Sequence, residues 1–141
     1  MSGRPSASRR TVLRGAALTP VAGLGLAACS GGSGGGTPAT PTAPVVLGAG
    51  SEVSKGGAEL YLEHNVVVSR AEDGSLKAFS SVCTHAGCAI NELRGTTLVC
   101  PCHGSEFDAG TGKVLRAPAT VPLPELSVEE KNGDIVAGPA A

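Results

Sequence analysis

Aromatic side chains are almost missing from this sequence. Its 141 residues include two Phe, one Tyr and no Trp. A hydrophobic core must therefore be built from Val, Leu, Ile and Ala, and such a core is thin in a domain of fewer than about a hundred residues. Small domains of this composition commonly depend on a disulfide or a metal for part of their stability.

Acidic residues are absent before Glu52, and the first segment is basic, with Arg4, Arg9, Arg10 and Arg14. From residue 30 onward the balance is reversed, because seven Lys and Arg stand against twelve Asp and Glu, a side-chain charge of about −5. A nucleic-acid-binding domain needs a basic footprint. We therefore expect no nucleic-acid partner.

The N-terminal apolar run is too short for a membrane-spanning helix, which needs roughly twenty residues. It covers thirteen residues, 16–28, contains Pro20, and follows the paired Arg9 and Arg10. A basic start, a short apolar run and small residues at its end are typical of a signal peptide. Paired arginines indicate the twin-arginine (Tat) export route. We predict residues 1–28 to be such a signal peptide.

The apolar run ends in LAAC, residues 26–29, which resembles the bacterial lipobox. That resemblance implies that Cys29 is lipidated and holds the protein at the outer face of the cytoplasmic membrane. An uncleaved anchor, or a plain cleavage site with an incidental Cys29, is the alternative. The rest of the segment 29–44 is uncharged and rich in Gly, Ser, Thr and Pro, so it is predicted to be a flexible linker. Its root-mean-square span is roughly 20 Å.

Sustained helical periodicity is missing from residues 45–141, which alternate between short β-branched runs and turn signals. The predicted strands cover residues 61–70, 76–82, 96–100, 112–116, 126–130 and 135–138. Asp-Gly and Asn-Gly turns are predicted at 72–75 and 131–134. The pattern indicates one all-β domain, a small antiparallel sandwich or barrel. Two segments rich in Cys and His interrupt the strands, and we predict them to be loops of an inserted subdomain.

These two segments hold four cysteines and two histidines. They are CTHAGC, residues 83–88, and CPCHGS, residues 100–105. Cys83 and His85 form a C-x-H pair, and Cys100 and His103 form a C-x-x-H pair. Two loops that each supply one thiolate and one imidazole can build a Cys2His2 site. That ligand set suits either a zinc ion or a 2Fe–2S cluster.

The paired segments closely resemble the signature of Rieske iron–sulfur proteins, and most of all the subtype found in cytochrome bc complexes. The resemblance implies four ligands for one 2Fe–2S cluster per chain: Cys83, His85, Cys100 and His103. It also implies that Cys88 and Cys102 form a disulfide that ties the two loops together, with two free buried thiols as the alternative. A disulfide suits an exported protein, because disulfides persist in oxidising compartments.

The ligand set predicts the direction of the reduction potential. Two thiolates and two neutral imidazoles leave the oxidised cluster uncharged, so adding an electron is easier than for a cluster with four thiolates. Rieske centres accordingly span about −150 to +300 mV, against about −400 mV for plant-type clusters. Ser105 matches a serine that donates a hydrogen bond to the cluster in quinol-oxidising relatives. Phe107 stands where those relatives commonly carry a hydrogen-bonding tyrosine, so we predict a positive but moderate potential; core packing is a further role for Phe107.

Three further features bear on partners. An exposed cluster histidine can release a proton on oxidation and, in quinol oxidases of the family, accepts a hydrogen bond from quinol. The segment RAPATVPLP, residues 116–124, resembles the proline-bearing loop that shields the cluster in those relatives, with a stiff β-connection as the alternative. His64 lies outside both motifs and is expected to be a surface or hydrogen-bonded residue rather than a ligand.

We therefore expect a one-electron transfer protein of the bacterial cell envelope. Its redox partner would be a quinol-oxidising cytochrome complex or a molybdenum-type oxidase. Quinol is a candidate small-molecule partner. A ferredoxin-like donor to an oxygenase is the alternative, although the export signal and disulfide disfavour it. A structural Cys2His2 zinc module is another. No catalytic triad, nucleotide-binding loop or substrate pocket is visible, so no stand-alone catalysis is expected.

Overall fold

The computed structural model describes residues 36–140, and the predicted signal peptide and Cys29 lie outside them. The ten strands in this part of the chain are β1 Val45–Ala49, β2 Gly57–Tyr61, β3 Val66–Arg70, β4 Leu76–Ser80, β5 Glu92–Arg94, β6 Thr97–Val99, β7 Glu106–Asp108, β8 Val114–Arg116, β9 Glu125–Lys131 and β10 Asp134–Gly138. Two single-turn 3-10 helices cover Gly50–Glu52 and Leu62–His64. Within residues 36–140, no helix is both long and apolar enough to cross a membrane.

The strands form two antiparallel sheets. The larger sheet has the order β1–β10–β9–β4–β3–β2, and the smaller sheet has the order β5–β6–β7–β8. All four strands of the smaller sheet come from the chain between β4 and β9. The predicted all-β fold with an inserted subdomain is therefore confirmed.

The prediction of one continuous strand over residues 61–70 is wrong. β2 ends at Tyr61, the 3-10 turn Leu62–His64 follows, and Asn65 takes a left-handed φ of 51°. Asparagine tolerates this conformation better than most residues, and here it reverses the chain so that β2 and β3 pair, with Tyr61 opposite Val66. The β-branched run alone did not reveal this reversal, because the turn contains no Gly or Pro.

The two predicted hairpin turns are present. Asn132 and Gly133 have φ values of 56° and 89° and connect β9 to β10. Both central residues of this two-residue turn therefore lie at positive φ. This conformation matches the right-handed twist of the flanking strands. At the other turn, Gly74 has a φ of 91° and donates a hydrogen bond to the carbonyl of Ala71 at 2.9 Å.

The core divides into two clusters because residues of β3 alternate between the two faces of the sheet. Val66 and Val68 pack with Leu126 and Ile135 inside the larger sheet. Val67 points the other way, into a second cluster shared with the inserted subdomain. That second cluster includes Phe79, Ile90, Leu98, Phe107 and two of the cysteines, Cys83 and Cys100.

The inserted subdomain leaves and rejoins the larger sheet at one place. The amide of Ser80 donates to the carbonyl of Pro124 at 2.9 Å, which brings the two crossing points together. The amide of Ser81 donates to the carbonyl of Asn65, and the carbonyl of Ser81 accepts from Ile90, each at 2.8 Å. The first loop of the subdomain is thus anchored to the start of β3.

Candidate metal centre

The first Cys/His loop is a tight turn built on backbone hydrogen bonds. The amide of Gly87 donates to the carbonyl of Cys83, and the amide of Cys83 donates to the carbonyl of Cys88, both at 2.8 Å. Gly87 has a φ of 73°, a conformation that glycine adopts at no steric cost. The turn presents the side chain of His85 at its apex, where it is exposed.

The second loop repeats the same turn. The amide of Gly104, with a φ of 74°, donates to the carbonyl of Cys100 at 3.0 Å, and the amide of Cys100 donates to the carbonyl of Ser105 at 2.9 Å. Both loops thus share a C-x-x-x-G spacing, ending at Gly87 and Gly104. This repeated spacing is present in the sequence and was not among our predictions.

The four predicted ligands are divided between core and surface. Cys83 and Cys100 are each 2% exposed and belong to the second core cluster. His85 and His103 are exposed, and their ring centroids lie 4.8 Å apart with the rings nearly perpendicular. One thiol and one imidazole thus come from each loop, with the thiols inside and the imidazoles outside.

The environment of Cys100 mixes an apolar shell with hydrogen-bond donors. Burial raises the pKa of the Cys100 thiol, and a hydrogen bond with the Cys83 thiol adds to this effect. Backbone hydrogen bonds from Cys102 and His103 act in the opposite direction, because they favour the thiolate. Amide donors aimed at a buried sulfur are suited to a metal-bound thiolate, which keeps negative charge in a dry site.

The predicted disulfide is present. Cys88 and Cys102 are joined by an S–S bond of 2.02 Å, with their Cα atoms 6.6 Å apart. Within residues 36–140, the free thiols are those of Cys83 and Cys100. The bond therefore ties the first loop to the second beside the two buried thiols.

Residues 117–124, which we call the strap, follow β8 and are hydrogen-bonded to both loops. The Oγ1 of Thr84 donates to the carbonyl of Val121 at 2.6 Å. The amide of Ala119 donates to the Oγ of Ser105 at 3.0 Å. The segment that resembled a proline-bearing shielding loop thus touches the first loop and the second. Thr84 was missed by the sequence analysis, because nothing in its local pattern shows where its hydroxyl points.

Ser105 and Phe107 are both fully buried. The Oγ of Ser105 accepts its hydrogen bond from Ala119, so its own proton remains available for a further acceptor. Phe107 lies in β7, opposite Leu98, and packs in the core cluster that contains Cys83 and Cys100. Effects of these two residues on the potential stay predictions.

His64 lies apart from the two loops in sequence and has different neighbours. It is half-buried in the 3-10 turn and lines a shallow groove with Glu63 and residues 39–43 of the predicted linker. Arg9, Arg10 and Cys29 lie outside the described residues.

A match to a known protein family covers most of the domain. Residues 43–127 match the family model of the Rieske [2Fe-2S] domain. The chain belongs to the Rieske [2Fe–2S] family. Members of this family carry a 2Fe–2S cluster and transfer electrons, and one cluster is expected in each chain.

Two relatives are named as cytochrome b6-f complex iron-sulfur subunits. Subunit 1 from Trichormus variabilis is 36% identical over 141 residues, covering 87% of this chain and 73% of that protein. The subunit from Chlorobaculum tepidum is 32% identical over 94 residues, covering 65% of this chain and 51% of that protein. The chain thus spans about half the length of the Chlorobaculum relative.

Two solved structures with a similar fold are a membrane Rieske protein and a chain of an oxygenase–ferredoxin complex. The cyanobacterial plasma membrane Rieske protein PetC3 from Synechocystis PCC 6803 is 31% identical, with a TM-score of 0.52, over 66% of this chain and 97% of that chain. A chain in the complex of reduced oxygenase and oxidized ferredoxin in carbazole 1,9a-dioxygenase is 28% identical, with a TM-score of 0.53, over 70% of this chain and 95% of that chain.

The residues present fit a Rieske cluster. The two loops supply adjacent buried thiols, with amide donors around the Cys100 sulfur, and two exposed imidazoles. This is the mixed donor set of two thiolates and two imidazoles that distinguishes Rieske centres from clusters held by four cysteines. The disulfide holds the two loops together.

Proposed function

We propose that this protein is the Rieske component of a quinol-oxidising cytochrome complex of the b6-f type in a bacterial cell envelope. The cluster ligands in this proposal are Cys83, His85, Cys100 and His103. The observation that carries it is the pair of disulfide-linked loops with buried thiols and exposed imidazoles. The b6-f subunits among the relatives support the choice of complex.

The division between thiols and imidazoles suits electron exchange at a surface. When bound, the cluster would supply one-electron redox chemistry. Cys83 and Cys100 would hold it from the core side, where Phe107 and Leu98 exclude water. His85 and His103 face solvent, so a partner protein or a quinol would meet the site through the imidazoles. An imidazole that releases its outer proton on oxidation would couple electron transfer to proton transfer.

The disulfide supports an envelope location, since such bonds are rare in reducing compartments. We propose Tat export through a signal over residues 1–28 that includes Arg9 and Arg10. Lipidation of Cys29 would then tether the protein at the outer face of the cytoplasmic membrane through the linker 29–44.

The contacts of the linker residue Ala39 support a tether that enters the domain near the start of the inserted subdomain. β1 begins at Val45, opposite Ala137 near the end of β10, and β9 begins directly after the strap. The amide side chain of Asn65 donates to the carbonyl of Ala39 at 2.9 Å, while its own carbonyl accepts from Ser81. Asn65 thus contacts both the linker and the first residue of the inserted subdomain.

The test is a redox titration of the iron-loaded protein at several values from about pH 6 to about pH 10. Electron paramagnetic resonance monitors the reduced cluster and so gives the reduction potential at each pH. We expect a positive potential that falls at alkaline pH as the exposed imidazoles release protons. Iron-loaded protein without a reducible iron–sulfur signal would overturn the cluster and favour zinc.

A ferredoxin-like donor to an oxygenase is the second candidate, because the fold matches a chain from the dioxygenase–ferredoxin complex. The same titration separates the two roles. A negative potential that is nearly independent of pH around neutrality would favour the ferredoxin role and contradict the quinol-oxidising one.

A further inference from the structure

The free thiol of Cys100 lies beside the disulfide. The Sγ atoms of Cys88, Cys100 and Cys102 are all within 4.8 Å of one another. Three cysteine sulfurs thus gather at one place, although two of them are bonded together and cannot act as thiolates while the disulfide is intact.

We propose that reduction of the Cys88–Cys102 bond turns Cys88, Cys100 and Cys102 into a thiolate site for a soft divalent cation such as Zn²⁺. This ligand set differs from the two cysteines and two histidines assigned to the cluster, and the two sets share Cys100. The competition between them rests on the proposed function, whereas the thiolate site itself does not.

The distances suit this site. Thiolate sulfurs bind zinc at about 2.3 Å in a tetrahedron, which places them roughly 3.8 Å from one another. The three sulfurs lie within 4.8 Å as they stand, so breaking the S–S bond and small shifts of two loops reach that spacing. Three thiolates leave the fourth position of the tetrahedron to a water molecule.

The redox step needs a reductant, and a dithiol supplies it. Two electrons and two protons pass from the dithiol to the protein; the reagent becomes a disulfide, and Cys88 and Cys102 become thiols. Each thiol that then binds the metal releases one proton, and the charge of the metal ion does not change. Cys102 is exposed and Cys88 is half-buried, so a reductant can reach the bond.

The disulfide then has a second consequence besides joining the loops. While it is closed, the zinc-preferring thiolate set does not exist, and Cys100 is available to the cluster. In the reduced chain, zinc competes for Cys100. Closing the bond therefore shifts metal selectivity away from zinc.

The experiment uses the full chain, free of iron, with Cys29→Ser so that four cysteines remain. One sample keeps the disulfide, and the other is reduced with a dithiol that is removed under anaerobic conditions. Both are titrated with Co²⁺, whose thiolate charge-transfer absorption rises with the number of bound thiolates. We expect one Co²⁺ per reduced chain with the intensity of at least three thiolates, and an intensity of at most two with the disulfide intact. Zn²⁺ should displace Co²⁺ from the reduced chain.

Variants separate this site from the cluster. Cys102→Ser should lower the charge-transfer intensity of the reduced chain by one thiolate, whereas His103→Asn should leave it unchanged while preventing assembly of the Rieske signal in iron-loaded protein. If Cys102→Ser does not fold, alkylation of the reduced parent chain replaces it: Zn²⁺ should protect Cys88 and Cys102, as read by mass spectrometry. Equal intensities in reduced and disulfide-bonded samples, or no protection, would overturn the site. If the iron-loaded parent protein shows no Rieske signal, the proposed function is refuted instead.

Discussion

Ser105 and Ala119 join the second loop to the strap: the Ser105 Oγ accepts a 3.0 Å hydrogen bond from the buried Ala119 amide. On the other side, Thr84 donates to Val121 at 2.6 Å. Both hydroxyls lie close in sequence to proposed ligands. The strap is therefore fastened to both loops, and the two bonds differ because the first is buried and the second is exposed.

Ser105→Ala leaves the Ala119 amide buried without this partner. We expect the free energy of unfolding to fall by about 1–3 kcal/mol, the usual cost of an unsatisfied buried donor. The reduction potential should fall as well, because the Ser105 proton can no longer be donated toward the site. Denaturant unfolding and redox titration measure the two effects. Thr84→Val is the matched control, with an expected loss of roughly 0.5–1.5 kcal/mol and little change in potential. Equal potentials for Ser105→Ala and the parent would limit Ser105 to a structural role.

Phe107→Tyr should raise the reduction potential. The new hydroxyl would lie in the core cluster with Cys83 and Cys100, where a donated hydrogen bond favours the more negative, reduced state. A hydrogen bond to a charged group and the one-electron conversion set an upper limit of roughly 100 mV for this rise. Phe107→Leu, which adds no donor, is the control and should lower stability without raising the potential. An unchanged potential in Phe107→Tyr would refute this tuning role.

Removing the disulfide should destabilise the protein. The bond closes a loop with a sequence separation of 14, and cross-linking a loop of that size is worth about 3 kcal/mol. We expect the double variant Cys88→Ser, Cys102→Ser to lose stability of that order in thermal or denaturant unfolding. Chemical reduction of the parent protein should produce the same loss, and a much smaller effect would show that core packing alone holds the loops.

Tyr61 provides a pH-dependent readout. Burial, followed by the negative charges of Glu52 and Glu59, raises its pKa from 10.0 to about 12. The folded state keeps the phenol proton that the unfolded state loses, so this contribution to stability is complete below about pH 10 and disappears as pH rises toward about 12.

Absorbance titration can follow Tyr61 directly, because the chain contains one tyrosine. Glu52→Gln should move the Tyr61 pKa down, since it removes the larger of the two charge effects. Glu63→Gln, which changes a carboxylate that is not among these causes, should leave the pKa in place. A similar shift in both variants would assign the effect to overall charge rather than to Glu52.

Asn65→Gly should release the linker without disturbing the turn. Glycine accepts the left-handed φ of 51°, whereas the side-chain hydrogen bond to Ala39 is lost. We expect faster hydrogen exchange in residues 39–44 and an unchanged potential. Asn132→Gly, at a φ of 56° in the β9–β10 turn, is the control and should leave exchange in the linker unaffected. Equal exchange in the two variants would mean that Asn65 does not hold the linker.

Several strands could be predicted because their signals are local. The Asn-Gly pair at 132 and 133 specifies its own hairpin, and β4, β6, β8, β9 and β10 all lie at or within two residues of the predicted segments. β5 (ELR) and β7 (EFD) were missed because each has a single apolar residue among charged ones, whereas the equally short β6 (TLV) and β8 (VLR) each contain adjacent apolar residues. The break after Tyr61 was missed because it depends on Asn65 adopting a left-handed conformation, which the strand-like composition on either side concealed.

The sequence by itself determined the chemistry of the metal centre. Cys83, His85, Cys100 and His103, together with the disulfide pair, lie within two short segments. The resemblance of these segments to the Rieske signature implied which residues are ligands and which form the disulfide, and the low net charge of such a cluster follows from ligand type. Only the tertiary structure decided that the thiols face the core and the imidazoles face solvent. It also decided that Thr84 reaches Val121 and that Asn65 holds Ala39. Those contacts join residues 37 and 26 positions apart, and they depend on how the sheets pack rather than on local sequence.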